Sequence, residues 1–480
     1  MRNPFSLARR SLLRHAAACG LSLLSPACDR TGPPQRTPAA SALFTHRALR
    51  LDLRQRVTGG TVTFSLERLR LEPTWPGPLD KLTDSPGWGD YRWSLHDPET
   101  GKLVFRQGFD TELAADTRAA TTQLSLRCPM PRRPLRATVE KRRGADLFVP
   151  LSLIEIDPAS PDIVRSPSTV LTRAGVIHES GPPGAKVDIA ILGDGYRDAE
   201  YSKFTSDATR AAGYLFSVEP FKARMGDFNV RSVFTPSADS GVTDPYLGLQ
   251  KNTAFGCAYF AAGSERALTD GDHHAVREAA SAVPYDFLLI LANARRYGGS
   301  AYFGGPAVVA IDSAAARYLV LHEFAHVIAG LADEYYVPAA GGPSFGGNIE
   351  PWQPNITIAP GSGKWRERDT EPLPRPGTWN KAEYDHYFAN YVKRYETLRA
   401  NGAGEAQVEQ FMAQEQQRQA ALLAKNTSSG TTGYYEGANG YAKGVYRSGI
   451  DCIMFSLQTQ KFCGACSSAI ERVIDAHSAP

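Results

Sequence analysis

The sequence predicts an antiparallel β-sandwich followed by an α/β domain, and three observations predict it. From residue 49 to about 157 the chain alternates apolar and polar residues between Gly, Pro and Asp clusters: LRLDL at 49–53, TVTFSL at 61–66, LVF at 103–105 and LRATVE at 135–140. Period two with turn punctuation is the pattern of half-buried antiparallel strands. After the Pro-rich stretch 158–167 (PASPDIVRSP) the rhythm changes to apolar runs alternating with helical stretches, the signature of a sheet with crossover connections. The 480 residues themselves exceed one small domain.

Composition narrows the function classes. Apolar and Cys residues make up 42% and charged residues 21%, enough for an ordinary core. Lys and Arg number 53 against 50 Asp and Glu, a balance too even for a protein that tracks a phosphate backbone, so no nucleic-acid partner is expected. Residues 1–30 read as an export signal: Arg2, Arg9, Arg10 and Arg14 precede a short apolar stretch at 16–24. The Arg9-Arg10 pair resembles a bacterial twin-arginine signal, and Cys28 after small residues loosely resembles a lipidation site that would attach the chain to a membrane, although Pro26 is unusual there. The expected location is therefore the periplasm, the cell surface or the outside of a bacterial cell. Residues 31–45 include a flexible Pro-rich tether, 46–160 form the sandwich, and 161–480 form the second domain.

In that second domain 187–192 (VDIAIL), 228–234, 285–291 and 307–311 read as strands, 198–217 as a polar helix and 313–329 as a stronger one. Segment 381–425 is charged, rich in Gln and Ala, and reads as a helical excursion on the surface. Three cysteines, Cys452, Cys463 and Cys466, crowd the C-terminal end. One CxxC without a second pair is a weak zinc signal, so in an oxidising compartment a local disulfide is the expectation.

The chemistry gathers on the helix at 313–329, which carries His322-Glu323-Phe324-Ala325-His326. Two His four residues apart share one helical face and can share a metal, while Glu323 can reach a metal-bound water as general base. Gly330 can end the helix in a left-handed conformation and bring Asp333, three residues on, back over the metal. Two His and one carboxylate leave a position for water, the layout of a catalytic zinc site. Glu334 is the nearest rival for third ligand. Glu350 stands where a second helix would offer a ligand, but the glycines around it argue against such a helix. The adjacent His273 and His274 diverge on a helix or strand and do not suit a shared site.

Further blocks carry a resemblance. Gly193-Asp194-Gly195-Tyr196, Gly241-Val242-Thr243-Asp244-Pro245, Tyr297-Gly298-Gly299, the HExxH through Tyr335, Glu436-Gly437-Ala438, Tyr446-Arg447, Cys452-Ile453-Met454 and Cys463-Gly464-Ala465-Cys466 are similar to the IgA-peptidase family of zinc metallopeptidases, metallopeptidase family 64. Trp75-Pro76-Gly77 and Ile156-Asp157-Pro158 resemble that family's non-catalytic N-terminal domain. Ala325 departs from a Gly common in the family, at a position where activity is expected to survive. The resemblance implies a metzincin-like catalytic domain, a Met-turn at Met454, Zn2+ as cofactor, a protein or peptide substrate, and hydrolysis by a zinc-bound water activated by Glu323. Metal ligands would be His322, His326 and Asp333. Tyr446 is the first candidate for the oxyanion donor, beside Arg447, with Tyr441 next. Strand 307–311 would be the sheet edge that pairs with substrate, and Tyr297–Ser300 a loop over the cleft. Two other readings stand beside this one: a catalytically silent cell-surface binding protein on a peptidase fold, and a zinc amidase acting on cell-wall material.

Overall fold

The computed structural model describes residues 40–83, 86–113, 119–338, 349–365, 377–426 and 431–478. Residues 1–30, read from the sequence as an export signal, with Cys28, and most of the expected tether lie outside the described residues. Among those described, no helix is long and apolar enough to cross a membrane.

The N-terminal part holds two four-stranded sheets. In the first, strand Phe44–Thr58 lies between Ala119–Pro131 and Thr61–Glu72, antiparallel to both, and the short Ile163–Val164 closes the far edge in parallel. The second runs Leu103–Phe109, Tyr91–His96, Leu135–Arg142, Phe148–Ile156, all antiparallel. Leu49, Leu51 and Leu53 from one sheet and Trp93, Leu95 and Val139 from the other share a single core. Alternation thus sends the apolar side chains inward, as the pattern required. Part of the opposite face is covered as well. Arg50 and Asp52 are buried, because the second half of the chain docks over them.

That docking surface is ionic. Arg50 pairs with Asp52 and Glu72 at 2.8 Å and with Glu278 at 2.9 Å. Arg127 pairs with Glu72, donates to the Tyr285 carbonyl at 2.7 Å, and lies over the Tyr285 ring. Burial opposes charge on Asp52, yet the Arg50 guanidinium and the Ser125 hydroxyl hold its carboxyl below the usual range. Helix His273–Ala280, which carries Glu278, packs on strand Ala119–Pro131.

The second part is built on a six-stranded sheet in the order Gly299–Ala301, Pro306–Ala310, Phe287–Ala292, Val187–Asp194, Phe228–Phe234, Arg173–His178. Its four central strands are mutually parallel, and both edge strands are antiparallel. Val187–Asp194 and Pro306–Ala310 are buried throughout, as strands of a parallel sheet covered on both faces must be. The expected edge strand is therefore displaced: 306–310 lies one strand in, and the supposed loop at 299–301 forms the edge. Even that edge is partly used, since Gly299 N–H donates to the Arg266 carbonyl and the Ser300 hydroxyl to that of Leu268.

Helix Ala316–Ala329 packs on Pro306–Ala310, on helix Tyr201–Leu215 and on the last helix, Gly464–His477. Nearly every residue in it is buried, as expected of a helix apolar on all sides. The charged segment forms two helices, Lys381–Ala400 and Glu405–Leu423, packed on each other and on the core through Tyr384 and Leu422. A small sheet of Tyr336–Val337, Gly440–Arg447 and Ile356–Thr357, with Tyr435–Ala438 paired to Gly440–Arg447, completes the fold.

Candidate metal centre

His322 and His326 sit one turn apart on the buried helix, and their Nε2 atoms are 3.2 Å apart. The chain then turns at Gly330, whose φ of 57° is left-handed and whose N–H caps the His326 carbonyl. Any Cβ at Gly330 would come within 2.5 Å of the Trp352 ring, so both backbone angle and space select glycine. Beyond the turn Asp333 returns over the helix, its Oδ1 lying 3.1 Å from His322 Nε2 and 3.3 Å from His326 Nε2.

The outer imidazole nitrogens show what these inner atoms are. His326 Nδ1–H donates to the Leu331 carbonyl at 2.5 Å. His322 Nδ1–H is shared by the Ile453 carbonyl at 3.2 Å and the Tyr318 oxygen at 3.0 Å. With Nδ1 protonated on both neutral rings, the two Nε2 atoms present lone pairs. Asp333 Oδ1, buried and without a hydrogen-bond donor among the described residues, completes a triangle of three acceptors. Acceptors at such distances repel one another unless a cation lies among them. Ligands about 2.0 Å from a tetrahedral zinc are about 3.3 Å apart, close to the three separations here. The residues therefore fit a zinc ion, and they form one group of potential metal ligands.

Glu323 lies 8% exposed on the same helix, its carboxylate packed on the edge strand. A Cβ on Gly299 would sit 2.9 Å from Glu323 Oε1 and 3.0 Å from its Cγ, so Gly299 makes room for this side chain. Burial pushes the Glu323 carboxyl above its ordinary value. A carboxylate so placed can take a proton and keep it long enough to deliver it elsewhere.

The turn at 451–455 passes beneath the triad. Its Ile453 carbonyl orients His322, its Met454 carbonyl accepts from Glu334 N–H at 2.8 Å, and Met454 is buried. Asp333 is thus the carboxylate that faces both histidines. Glu334 points away, to Cys463 and Cys466 at 3.4 and 3.2 Å. Glu350 is engaged elsewhere, pairing with Lys364 and accepting from Ile358 N–H.

The oxyanion candidates fare differently. Tyr446 pairs across its strand with Thr357 and Glu436, and among the described residues it makes no hydrogen bond or ring contact to the triad or to Glu323. Arg447 is fully buried and structural: its guanidinium donates to the Gly437 and Ile450 carbonyls and lies over the Trp379 and Phe455 rings. Tyr441 pairs with Val337 on the same small sheet. Tyr318 is the tyrosine against His322, but its hydroxyl is engaged with His322 Nδ1; on the Asp333 side stands Tyr335, which sequence reasoning passed over although it follows Asp333-Glu334 directly. Its ring stacks over His322 with an interplanar angle of 18°. Local desolvation and then the Asp333 carboxylate push its phenol above the usual tyrosine range although the residue is 43% exposed, so it stays protonated and able to donate. A cavity of about 260 Å³, lined by Tyr297, Tyr318, Leu321, Met412, Ile453 and Leu457, lies against the two residues that hold His322 Nδ1, Tyr318 and Ile453.

The expected disulfide is absent. Cys452, Cys463 and Cys466 are all free, buried thiols. They converge on Glu334 instead of pairing with one another.

Comparison with known families gave two matches. The model described as IgA Peptidase M64 matches residues 176–474, and the one described as Peptidase M64 N-terminus matches residues 40–150. No curated protein matched.

Proposed function

The chain belongs to the IgA peptidase M64 family and is a peptidase; from that premise we propose that it is an exported, zinc-dependent endopeptidase. The observation that carries the zinc reading is the triangle formed by His322 Nε2, His326 Nε2 and Asp333 Oδ1, whose sides are 3.1, 3.2 and 3.3 Å, while each ring's Nδ1 faces a backbone carbonyl. His322, His326 and Asp333 would hold the metal, in a metzincin-like arrangement of helix, glycine turn and underlying Met-turn. Zinc bound there would acidify a water molecule and polarise the scissile carbonyl.

The chain's own residues supply the rest. Glu323 takes the proton of the attacking water and returns it to the leaving amine, a task that suits its raised pKa. Tyr335, in place of Tyr446, donates to the oxyanion from the solvent side of His322. The Ile453 and Leu331 carbonyls fix both imidazoles in the ligating tautomer. The cavity beside Tyr318 receives a substrate side chain next to the scissile bond. The N-terminal β-sandwich serves as a docked accessory domain, and the Arg-rich leader directs export.

The test pairs zinc analysis with hydrolysis of an unfolded protein such as casein. Stoichiometric zinc with casein cleavage is expected. Zinc without cleavage of casein, but with cleavage of peptidoglycan, would move the protein to the amidases.

A further inference from the structure

Beneath the triad lies a second convergence of ligand atoms that peptide hydrolysis does not use. Glu334, Cys452, Cys463 and Cys466 are all buried, and one ligand atom from each lies within 4.8 Å of all the others. Cys452 Sγ and Cys466 Sγ are 3.7 Å apart, far beyond a disulfide bond. Glu334 Oε1 lies 3.4 Å from Cys463 Sγ and 3.2 Å from Cys466 Sγ. Sulfur ligands about 2.3 Å from a tetrahedral zinc stand about 3.8 Å from one another, and about 3.5 Å from an oxygen ligand. Three of the six edges, 3.7, 3.4 and 3.2 Å, are close to those values, and the other three are within 4.8 Å.

Its surroundings suit anionic sulfur. Cys463 N–H donates to Cys452 Sγ at 3.2 Å, and the Ser448 hydroxyl to Cys463 Sγ at 3.1 Å. Cys463 is the N-cap of helix Gly464–His477 and Cys466 sits in its first turn, where the helix dipole favours negative charge. The buried Arg447 acts on Glu334 as a further positive charge. Glu334 Oε2 is buried with no hydrogen-bond partner among the described residues. A carboxylate at 0% exposure beside three thiols is costly with nothing to neutralise it.

We propose that Cys452, Cys463, Cys466 and Glu334 bind a structural zinc ion. Four protein ligands close the tetrahedron and leave no place for water, so this ion would hold structure without taking part in hydrolysis. It would join three pieces of chain. Cys452 precedes Ile453, whose carbonyl orients His322; Glu334 follows Asp333; Cys463 and Cys466 open the last helix. The ion would thereby fix both the turn under His322 and the approach of Asp333. It would also keep the three thiols reduced after export.

The experiment counts metal and reads ligand type. Purified full-length protein is expected to hold two zinc ions per chain. Its cobalt-substituted form should show thiolate-to-cobalt charge-transfer absorption. His322→Ala/His326→Ala should lose one ion and keep that absorption; Cys463→Ser/Cys466→Ser should lose the absorption. If the double serine variant fails to fold, the wild-type cobalt spectrum decides alone. A single zinc with no thiolate absorption, or a non-reduced mass two hydrogens short, would overturn the proposal. A peptidase with two ions but no turnover would leave it intact while removing the hydrolytic reading.

Discussion

Asp333 and Glu334 are neighbours in the chain whose carboxylates face opposite clusters: Asp333 Oδ1 lies 3.1 Å from His322 Nε2, and Glu334 Oε1 lies 3.2 Å from Cys466 Sγ. In extended backbone, successive side chains diverge, so one short segment can serve two sites. The Met454 carbonyl holds the Glu334 N–H and sets the direction of both. The pair therefore separates experimentally. Asp333→Ala should lose the zinc held by nitrogen ligands and all turnover. Glu334→Gln should first lose the sulfur-bound ion. Metal analysis of the two variants, with and without cobalt, checks the order.

Glu323→Gln should keep fold and metal content while turnover falls roughly 10²–10⁴-fold, the usual scale for removing a general base. Steady-state kinetics on casein with parallel zinc analysis measures this. Turnover near the parent's would remove Glu323 from the chemistry.

Gly299→Ala should act through Glu323 without touching the metal. The added Cβ would stand 2.9 Å from Glu323 Oε1, so the carboxylate must move. We expect kcat to fall with KM little changed and zinc retained. A pure KM effect would instead assign Gly299 to substrate binding.

Tyr335→Phe should lower kcat/KM by roughly 10²–10³-fold, the scale for losing one oxyanion donor. Tyr446→Phe should stay near the parent, because Tyr446 neighbours Glu436 and Thr357 and makes no contact with the triad among the described residues. Kinetics on both variants decide between them; a large loss in Tyr446→Phe alone would restore the original candidate.

How much of this could be read in advance depends on the range of the interaction. The step from His322 to His326 is set by helical geometry, and the stop at Gly330 by its left-handed φ of 57°, so the triad followed from local spacing. The strand rhythm likewise gave the two N-terminal sheets. The burial of Arg50 and Asp52 was not legible, because alternation cannot tell water from a docked domain. Tyr446 earned its candidacy by proximity to the Met-turn in sequence, but a strand register turned it toward Glu436. The disulfide expectation came from compartment; the convergence of Cys452, Cys463 and Cys466 on Glu334 depends on contacts more than a hundred residues apart.

The docked interface should respond to acid in a defined direction. Asp52 has a folded pKa below its unfolded value, so its ionic stabilisation is complete above about pH 4 and is lost as pH falls through the folded pKa. Asp52→Asn should be less stable than the parent at neutral pH. The gap should close below that point, where the parent's carboxyl is protonated too. Thermal unfolding of both proteins from pH 7 to pH 3 (about one point per half unit) measures it. A gap that is constant with pH would contradict an ionic role.

The central claim is that His322, His326 and Asp333 hold the catalytic zinc. Crystals of the native protein, measured above and below the zinc absorption edge, test it most directly. The account predicts an anomalous peak bounded by the Nε2 atoms of His322 and His326 and the Oδ1 of Asp333. No peak there, with Asp333 hydrogen-bonded to a protonated imidazole, would contradict it.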